Sequence, residues 1–168
     1  VSGLVAGDYP EEIARLRARF GHHRVLAAGM VGSSRGWHEA PYVRCPAGAP
    51  DLAAQLFRVA DDVWIVPGVS YVGHDRADVM RGEEVQFIGA VASQQAPGDA
   101  LLLQPGTHSK WAWMRKGQIS SFATAMTGEI FGLLRRHSVL AEMMDRSPQD
   151  DAVKQLDRFG SLPSQQSA

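Results

Sequence analysis

An α/β fold with a mixed sheet and flanking helices is what this sequence predicts, on three observations. Apolar runs of strand length alternate with segments of helical period through the first half. Gly and Pro punctuate the boundaries between them. In the second half, apolar strands follow one another through tight turns before helical periodicity returns, which reads as a meander joined to the alternating part. The 168 residues are 45% hydrophobic, and a chain of this length buries roughly 70% of its unfolded surface, enough for one sizeable core.

Asp8-Tyr9-Pro10-Glu11-Glu12 reads as a helix start, with Asp8 as the cap and Pro10 and two acids in the first turn. Ile13, Leu16 and Phe20 continue at near-helical spacing, and Gly21 ends the helix. Val25-Leu26-Ala27-Ala28 is expected to be a buried strand. Residues 29–50, rich in Gly and Pro, are expected to form one long ordered loop of the kind that carries function. Leu52, Leu56 and Val59 predict a helix over 51–59. Val63-Trp64-Ile65-Val66 is a second buried strand stopped by Pro67-Gly68, and 67–81 a second long connection. Gly82 to Ser93 predicts a helix with Val85, Ile88 and Val91 on one face. Pro97-Gly98-Asp99 turns into a strand over 100–104. Lys110–Met114 is a fourth strand with Trp111 and Trp113 on one side, read as core packing rather than a base-stacking platform. Arg115-Lys116-Gly117 turns the chain back along 118–123. Thr127 is placed as the cap of a helix to His137 through Ile130, Leu133 and Leu134. Further helices are expected over 139–144 and 150–159, and the Ser/Gln-rich 161–168 as a disordered tail.

Composition narrows the function classes. Net charge is −1 with basic residues scattered, so no nucleic-acid stripe is expected. No apolar run reaches the ~18 residues of a transmembrane helix, and no signal peptide stands at Val1. A cytoplasmic compartment is the expectation. Cys45 is the single cysteine and builds no disulfide framework. His74, Asp75 and Asp78 complete no spaced ligand set, so no metal site is assigned. His22 and His23 read as surface residues at a helix end, and His137 as a favourable charge at a helix C-terminus.

Three segments carry chemistry. Pro105-Gly106-Thr107-His108-Ser109-Lys110-Trp111 lies between two strands, a hairpin tip where small residues let backbone N–H groups approach an anion. The hydroxyls of Thr107 and Ser109 add donors and Lys110 adds charge. An ordinary glycine turn with solvated polar groups explains the same residues. Gly29 to Tyr42 leaves the carboxyl end of a strand, where α/β sheets bind ligands. There Ser33, Arg35, Trp37, Glu39 and Tyr42 offer the hydrogen-bonding and stacking groups a polyhydroxy ligand needs. Gly32-Ser33-Ser34-Arg35-Gly36 also matches the G-x-S-x-G nucleophile elbow, but 37–46 holds two prolines and no helical period, so the helix an elbow requires is missing. Asp78-Val79-Met80-Arg81-Gly82-Glu83-Glu84 ends a connection and opens a helix. Arg81 could grip a carboxylate bidentately, and Glu83 at the helix N-terminus could take a hydroxyl proton. Acids in a first turn are also routine helix stabilisers.

The stretches AAGMVGSSRGWHEAPYVRCPA (27–47), IVPGV (65–69), DVMRGEEVQFIGA (78–90), QPGTHSKW (104–111) and FATAMTGEIFGLLRRHS (122–138) together resemble the 2-dehydro-3-deoxygalactonokinase family, in its order and at its approximate spacing. The resemblance implies an actin/hexokinase-like (ribonuclease H-like) fold with two α/β lobes around a cleft. It also implies ATP-dependent phosphorylation of the terminal hydroxyl of 2-dehydro-3-deoxy-galactonate, with Mg²⁺ accompanying the nucleotide. By that resemblance, Glu83 stands where related carbohydrate kinases place their Asp base. Ser33, Arg35, Trp37, Glu39, Tyr42 and Arg81 become sugar-acid contacts, and Gly106, Thr107, His108, Ser109 and Lys110 the second phosphate hairpin. The expected partners are a sugar acid and a nucleotide, with a homodimer left open.

Family members open with an Asp-Trp-Gly-Thr-Thr-Asn-like turn, the first phosphate hairpin. Nothing like it precedes Val25, and family members continue beyond the point where this sequence reads SLPSQQSA to build the adenosine pocket. The expectation is therefore a chain truncated at both ends. Residues 1–93 would be an incomplete sugar-binding lobe, and 94–160 the start of a partial second, nucleotide-binding lobe. A non-catalytic or degenerate sugar-acid-binding module remains the alternative.

Overall fold

A computed structural model describes residues 8–139 and 141. In chain order the elements are α1 (Tyr9–Phe20), β1 (Val25–Ala27), a short 3₁₀ turn (Met30–Gly32), β2 (Tyr42–Arg44), α2 (Ala49–Ala54), β3 (Phe57–Ala60), β4 (Val63–Ile65), β5 (Gly68–Val72), β6 (Ala77–Met80), α3 (Glu83–Ala92), β7 (Ala100–Gln104), β8 (Ser109–Arg115), β9 (Gln118–Ala125) and α4 (Thr127–His137). The strands make three small sheets, ordered β1-β4-β3, β2-β5-β6 and β7-β8-β9. β1 runs parallel to β4 and β2 parallel to β5, while the other neighbours are antiparallel. The mixed α/β class predicted from sequence is the class observed.

One core joins the second and third sheets. Val69 and Met80 of β5 and β6, Phe87 of α3, and Ala112, Ile119 and Phe122 of β8 and β9 belong to one buried cluster. Ala47 and Ile119 exchange backbone hydrogen bonds of 3.0 and 2.8 Å, fastening the segment before α2 to β9. The core therefore draws residues from both sides of position 93.

Several local expectations are corrected. The expected loop 29–50 contains β2, held by the one buried side chain of its triplet, Val43. The connection 67–81 is a β-hairpin, β5–β6. Gly68 opens it because a Cβ there would stand 2.6 Å from both the Met80 carbonyl oxygen and the Tyr42 ring. The helix expected over 51–59 stops at Ala54, and 57–60 returns as a strand against β4 through the Asp61-Asp62 turn, Asp62 taking φ 52°. The strand at 25–28 is not buried: β4 is its one neighbour among the described strands, and Leu26 is 63% exposed. Trp111 and Trp113 face outward, 40% and 38% exposed, because period two gives the core side of β8 to Ala112 and Met114. On α3 the buried face is Glu84, Phe87 and Ile88, and Val85 is exposed. Neither Asp8 nor Thr127 acts as a side-chain cap. The Asp8 carbonyl accepts the Glu12 N–H at 2.9 Å, and Met126 is the cap position of α4. The helices expected over 139–144 and 150–159 and the tail 161–168 lie outside the described residues, apart from 139 and 141.

Candidate active site

The site grows from two glycines that touch. β6 ends at Met80, and the chain turns through Arg81 and Gly82 into α3. Gly82 has φ 107°, open only to glycine at low cost, and a Cβ on it would sit 3.0 Å from the Cα of Gly29. Gly29, at φ 89°, is the second residue beyond β1. The carboxyl end of β1 and the amino end of α3 therefore meet backbone to backbone.

From Gly29 the loop winds back on itself. The Trp37 N–H donates to the Val31 carbonyl at 2.8 Å, and the Ala40 N–H to that of Gly32 at 3.0 Å. Gly32 is buried, and a Cβ there would stand 2.7 Å from Arg81 Nη1 and 2.8 Å from Ile65 Cγ2. The missing side chain makes room for the guanidinium.

Arg81 is the centre of this arrangement. Its Nη2 donates to the Ala40 carbonyl at 2.7 Å, and its guanidinium lies over the Tyr42 ring, 4.3 Å from the centroid. Its Nε and Nη1 are buried with no hydrogen-bond partner. The two acids that follow fold back onto the turn. Glu83 Oε2 accepts the Arg81 backbone N–H at 3.1 Å, and Glu84 Oε2 accepts the Gly82 N–H at 2.6 Å. Glu84 is fully buried and its Oε1 has no partner. Burial pushes its carboxyl up to about 7; the Glu83 charge adds to the rise, while the N–H groups of Glu84 and Gly82 and the Arg81 charge oppose it.

The other loop residues divide. Ser33 closes a local turn, its hydroxyl donating to the Met30 carbonyl at 2.8 Å and accepting the Arg35 N–H at 3.2 Å. Arg35 and Glu39 are exposed and form no ion pair with a described residue. Trp37 stacks face to face on Tyr9 of α1, centroids 5.7 Å apart, and so pins that helix to the loop. Tyr42, Arg81 and Glu83 stand together, with Gly32 and the Ser33 turn beside them. Ser34 is exposed, and no helix follows it before β2. The nucleophile elbow is absent. The Cys45 thiol is raised to about 11 by burial, far from a reactive thiolate.

The hairpin tip is held by α4. The Gly128 N–H donates to the Gly106 carbonyl at 3.2 Å and the Glu129 N–H to the Thr107 carbonyl at 3.1 Å. Gly128 must be glycine for this contact, since a Cβ would lie 2.7 Å from the Gly106 oxygen. Ser109 is buried, its hydroxyl in contact with that of Thr127 and accepting the Gly106 N–H at 3.3 Å. His108 Nε2 sits 2.5 Å from Glu129 Oε2. Lys110 departs from the expectation of a charge at the tip. It is 6% exposed, and its Nζ donates to the Val79 carbonyl at 2.9 Å and to Thr124 Oγ1 at 2.6 Å. Asp78 completes that network, accepting the Thr124 N–H at 2.7 Å and its hydroxyl at 2.8 Å. Lys110 thus ties β8 and β9 to β6, three residues before Gly82. Thr107 and His108 are the polar side chains left exposed at the tip.

Glu84, the Gly29–Gly82 contact and the Asp78–Thr124–Lys110 network escaped the sequence reading. A signal for Glu84 was present: it shares the i, i+3, i+4 face of Phe87 and Ile88. Among the described residues the one group close enough to share a cation is His22, Asp61 and Asp62, largely exposed and away from the expected His74 set. No described helix is long and apolar enough to cross a membrane.

Comparison with known proteins gives a consistent picture. The profile of the 2-keto-3-deoxy-galactonokinase family matches residues 5–160. A 2-dehydro-3-deoxygalactonokinase of Escherichia coli (strain K12) is 47% identical over 116 residues, 69% of this chain and 39% of the relative. A Rhizobium meliloti (strain 1021) protein, named probable 2-dehydro-3-deoxygalactonokinase DgoK1, is 39% identical over 83% of this chain and 44% of its own length. A crystal structure of a candidate 2-dehydro-3-deoxygalactonokinase from Sinorhizobium meliloti superposes with a TM-score of 0.74 at 33% identity, over 83% of this chain and 48% of that one. The chain thus spans less than half the length of the relatives it matches, and its mixed sheets are those of this kinase fold. With a family match running through every described element, the chain belongs to the 2-keto-3-deoxy-galactonokinase family.

Proposed function

We propose that this chain supplies the sugar-acid pocket of an ATP-dependent kinase that phosphorylates 2-dehydro-3-deoxy-galactonate at its terminal hydroxyl. One observation carries the reading: the half-satisfied Arg81 guanidinium, with Nε and Nη1 buried and unpartnered, beside a carboxylate at the start of α3. Buried donors without partners cost about 1–3 kcal/mol each, and a ligand carboxylate that reached one of them would recover part of that cost. Tyr42 and the Gly32–Ser33 turn would complete the grip, with Arg35 and Glu39 free to reach hydroxyls. Glu83 would orient the attacking hydroxyl and take its proton.

ATP is read as the second substrate, with Mg²⁺ arriving on its phosphates. The tip residues Gly106, Thr107 and His108 are the proposed phosphate contacts. Ser109 and Lys110 serve as their support, since both are turned inward. A cytoplasmic location and a homodimer belong to the same proposal. A second reading, sugar-acid binding without transfer, is favoured by the use of the first α4 amides on hairpin carbonyls rather than on an open anion site.

The test is calorimetric titration of the chain with 2-dehydro-3-deoxy-galactonate and with Mg²⁺–ATP, followed by an ADP-release assay. Binding of both with turnover supports the kinase reading. Binding of the acid with no turnover supports the second. Given turnover, Glu83→Gln should lower kcat by about 10²–10⁴ while KM changes little; an unchanged kcat removes Glu83 as the base.

A further inference from the structure

We infer that Glu84 is a positioning residue of this pocket: by accepting the Gly82 N–H, its carboxyl holds the Gly82 turn against Gly29 and so fixes where Arg81 and the 29–36 loop stand. The inference rests on the pocket reading above and assigns a role to a residue that reading does not use. A fully buried acid is among the more expensive groups a fold can carry, and among the described residues Glu84 is the one buried acidic side chain. Its neighbour Glu83 accepts a weaker, longer bond, 3.1 Å against 2.6 Å, and is only half-buried.

The 2.6 Å bond is made to the residue whose left-handed backbone creates the Gly29 contact. Without that acceptor the Gly82 N–H would lie partly buried at a point where 3.0 Å separates a would-be Cβ from Gly29. The turn could then relax, and the loop that wraps Arg81 through Gly32 and Ala40 would relax with it. Glu84 is thus coupled to the candidate ligand groups through one hydrogen bond and one backbone contact.

Glu84→Gln keeps an oxygen acceptor of the same reach, and Glu84→Leu keeps the volume and removes the acceptor. Hydrogen–deuterium exchange is read over 29–40 and, as an internal reference, over 100–125; affinity for 2-dehydro-3-deoxy-galactonate is read by calorimetry. Loss of one buried hydrogen bond corresponds to about tenfold. In E84L, exchange over 29–40 should therefore quicken about tenfold with 100–125 unchanged, and affinity should fall about tenfold or more. E84Q should restore both. Glu84→Asp, too short to reach Gly82, serves if the leucine variant does not fold, and should resemble it. Unchanged protection in E84L, equal loss in E84Q, or loss spread evenly to 100–125 would each overturn the inference. If the unmodified chain binds no sugar acid, the pocket reading fails, and the exchange data still decide whether Glu84 positions the loop.

Discussion

At the start of α4 the first helical amides are taken by carbonyls of another segment, those of Gly106 and Thr107. At the start of α3 the amides just before the helix are taken by the helix's own acids, Glu83 and Glu84. Both helix starts follow a strand, carry acids in the first turn and are met by a glycine from elsewhere in the chain. The outcomes differ. α4 and its hairpin satisfy each other at a largely exposed contact. α3 is left with a buried carboxylate oxygen and two buried guanidinium nitrogens without partners. Satisfied polar groups make a fastening, whereas unsatisfied buried ones mark a place where the fold accepts a cost, and such places concentrate at ligand sites.

The contrast is broken most sharply by alanine at the two glycines. Gly82→Ala must hold a Cβ at φ 107° against Gly29, which should cost about 3 kcal/mol from strain and collision together. Gly128→Ala collides with the Gly106 carbonyl, but helix propensity returns up to about 1 kcal/mol, for a net loss of about 1–2 kcal/mol. Urea unfolding of the two variants checks the order; a costlier Gly128→Ala would reverse the claim that the positive φ at Gly82 outweighs the closer collision at Gly128.

A comparable effect is expected from pH. The Glu84 carboxyl is raised from 4.5 to about 7 in the folded chain, by burial first and by Glu83 second, against the pull of Arg81 and two N–H groups. Between those values the folded chain keeps a proton that the unfolded chain releases. The stabilisation is thus full below about pH 4.5 and is lost as pH rises through about 7, by roughly 3 kcal/mol at most. Glu84→Gln should remove that slope and leave the variant the more stable at pH 8. Parallel profiles for the two proteins would show that the acid is not buried in solution.

The smallest effect belongs to the start of α4. His108 and Glu129 are 49% and 40% exposed on their side chains, and exposed pairs are worth about 0–1 kcal/mol. Glu129→Gln should shift unfolding by less than about 1 kcal/mol; a larger loss, seen in the same urea series, would make the pair part of the fastening rather than an ornament of it.

Unbroken apolar runs made β4 and β7 legible in the sequence, and helical spacing with Gly at the boundary did the same for α1 and α3. β2, β5 and β6 were hidden because their short runs hold one buried side chain each, inside stretches whose Gly and Pro content reads as loop. Arg81 and Glu83 stood out by residue type, but the acidic doublet disguised Glu84 as a second helix-start charge. Lys110 misled in the opposite way: its position beside a turn suggested an exposed cation, while the alternation Lys110, Ala112, Met114 already assigned it to the core face. No local pattern could have paired Gly29 with Gly82, since that contact depends on β1 and β4 lying parallel and on the β5–β6 hairpin bringing the chain back.

The most direct test of a sugar-acid grip at the start of α3 is calorimetric titration of the chain and of Arg81→Met with 2-dehydro-3-deoxy-galactonate. A charge-assisted contact predicts binding by the unmodified chain and an affinity about 10–100-fold weaker in the variant. Equal affinity in both would show that the two unpartnered nitrogens of Arg81 do not receive the substrate.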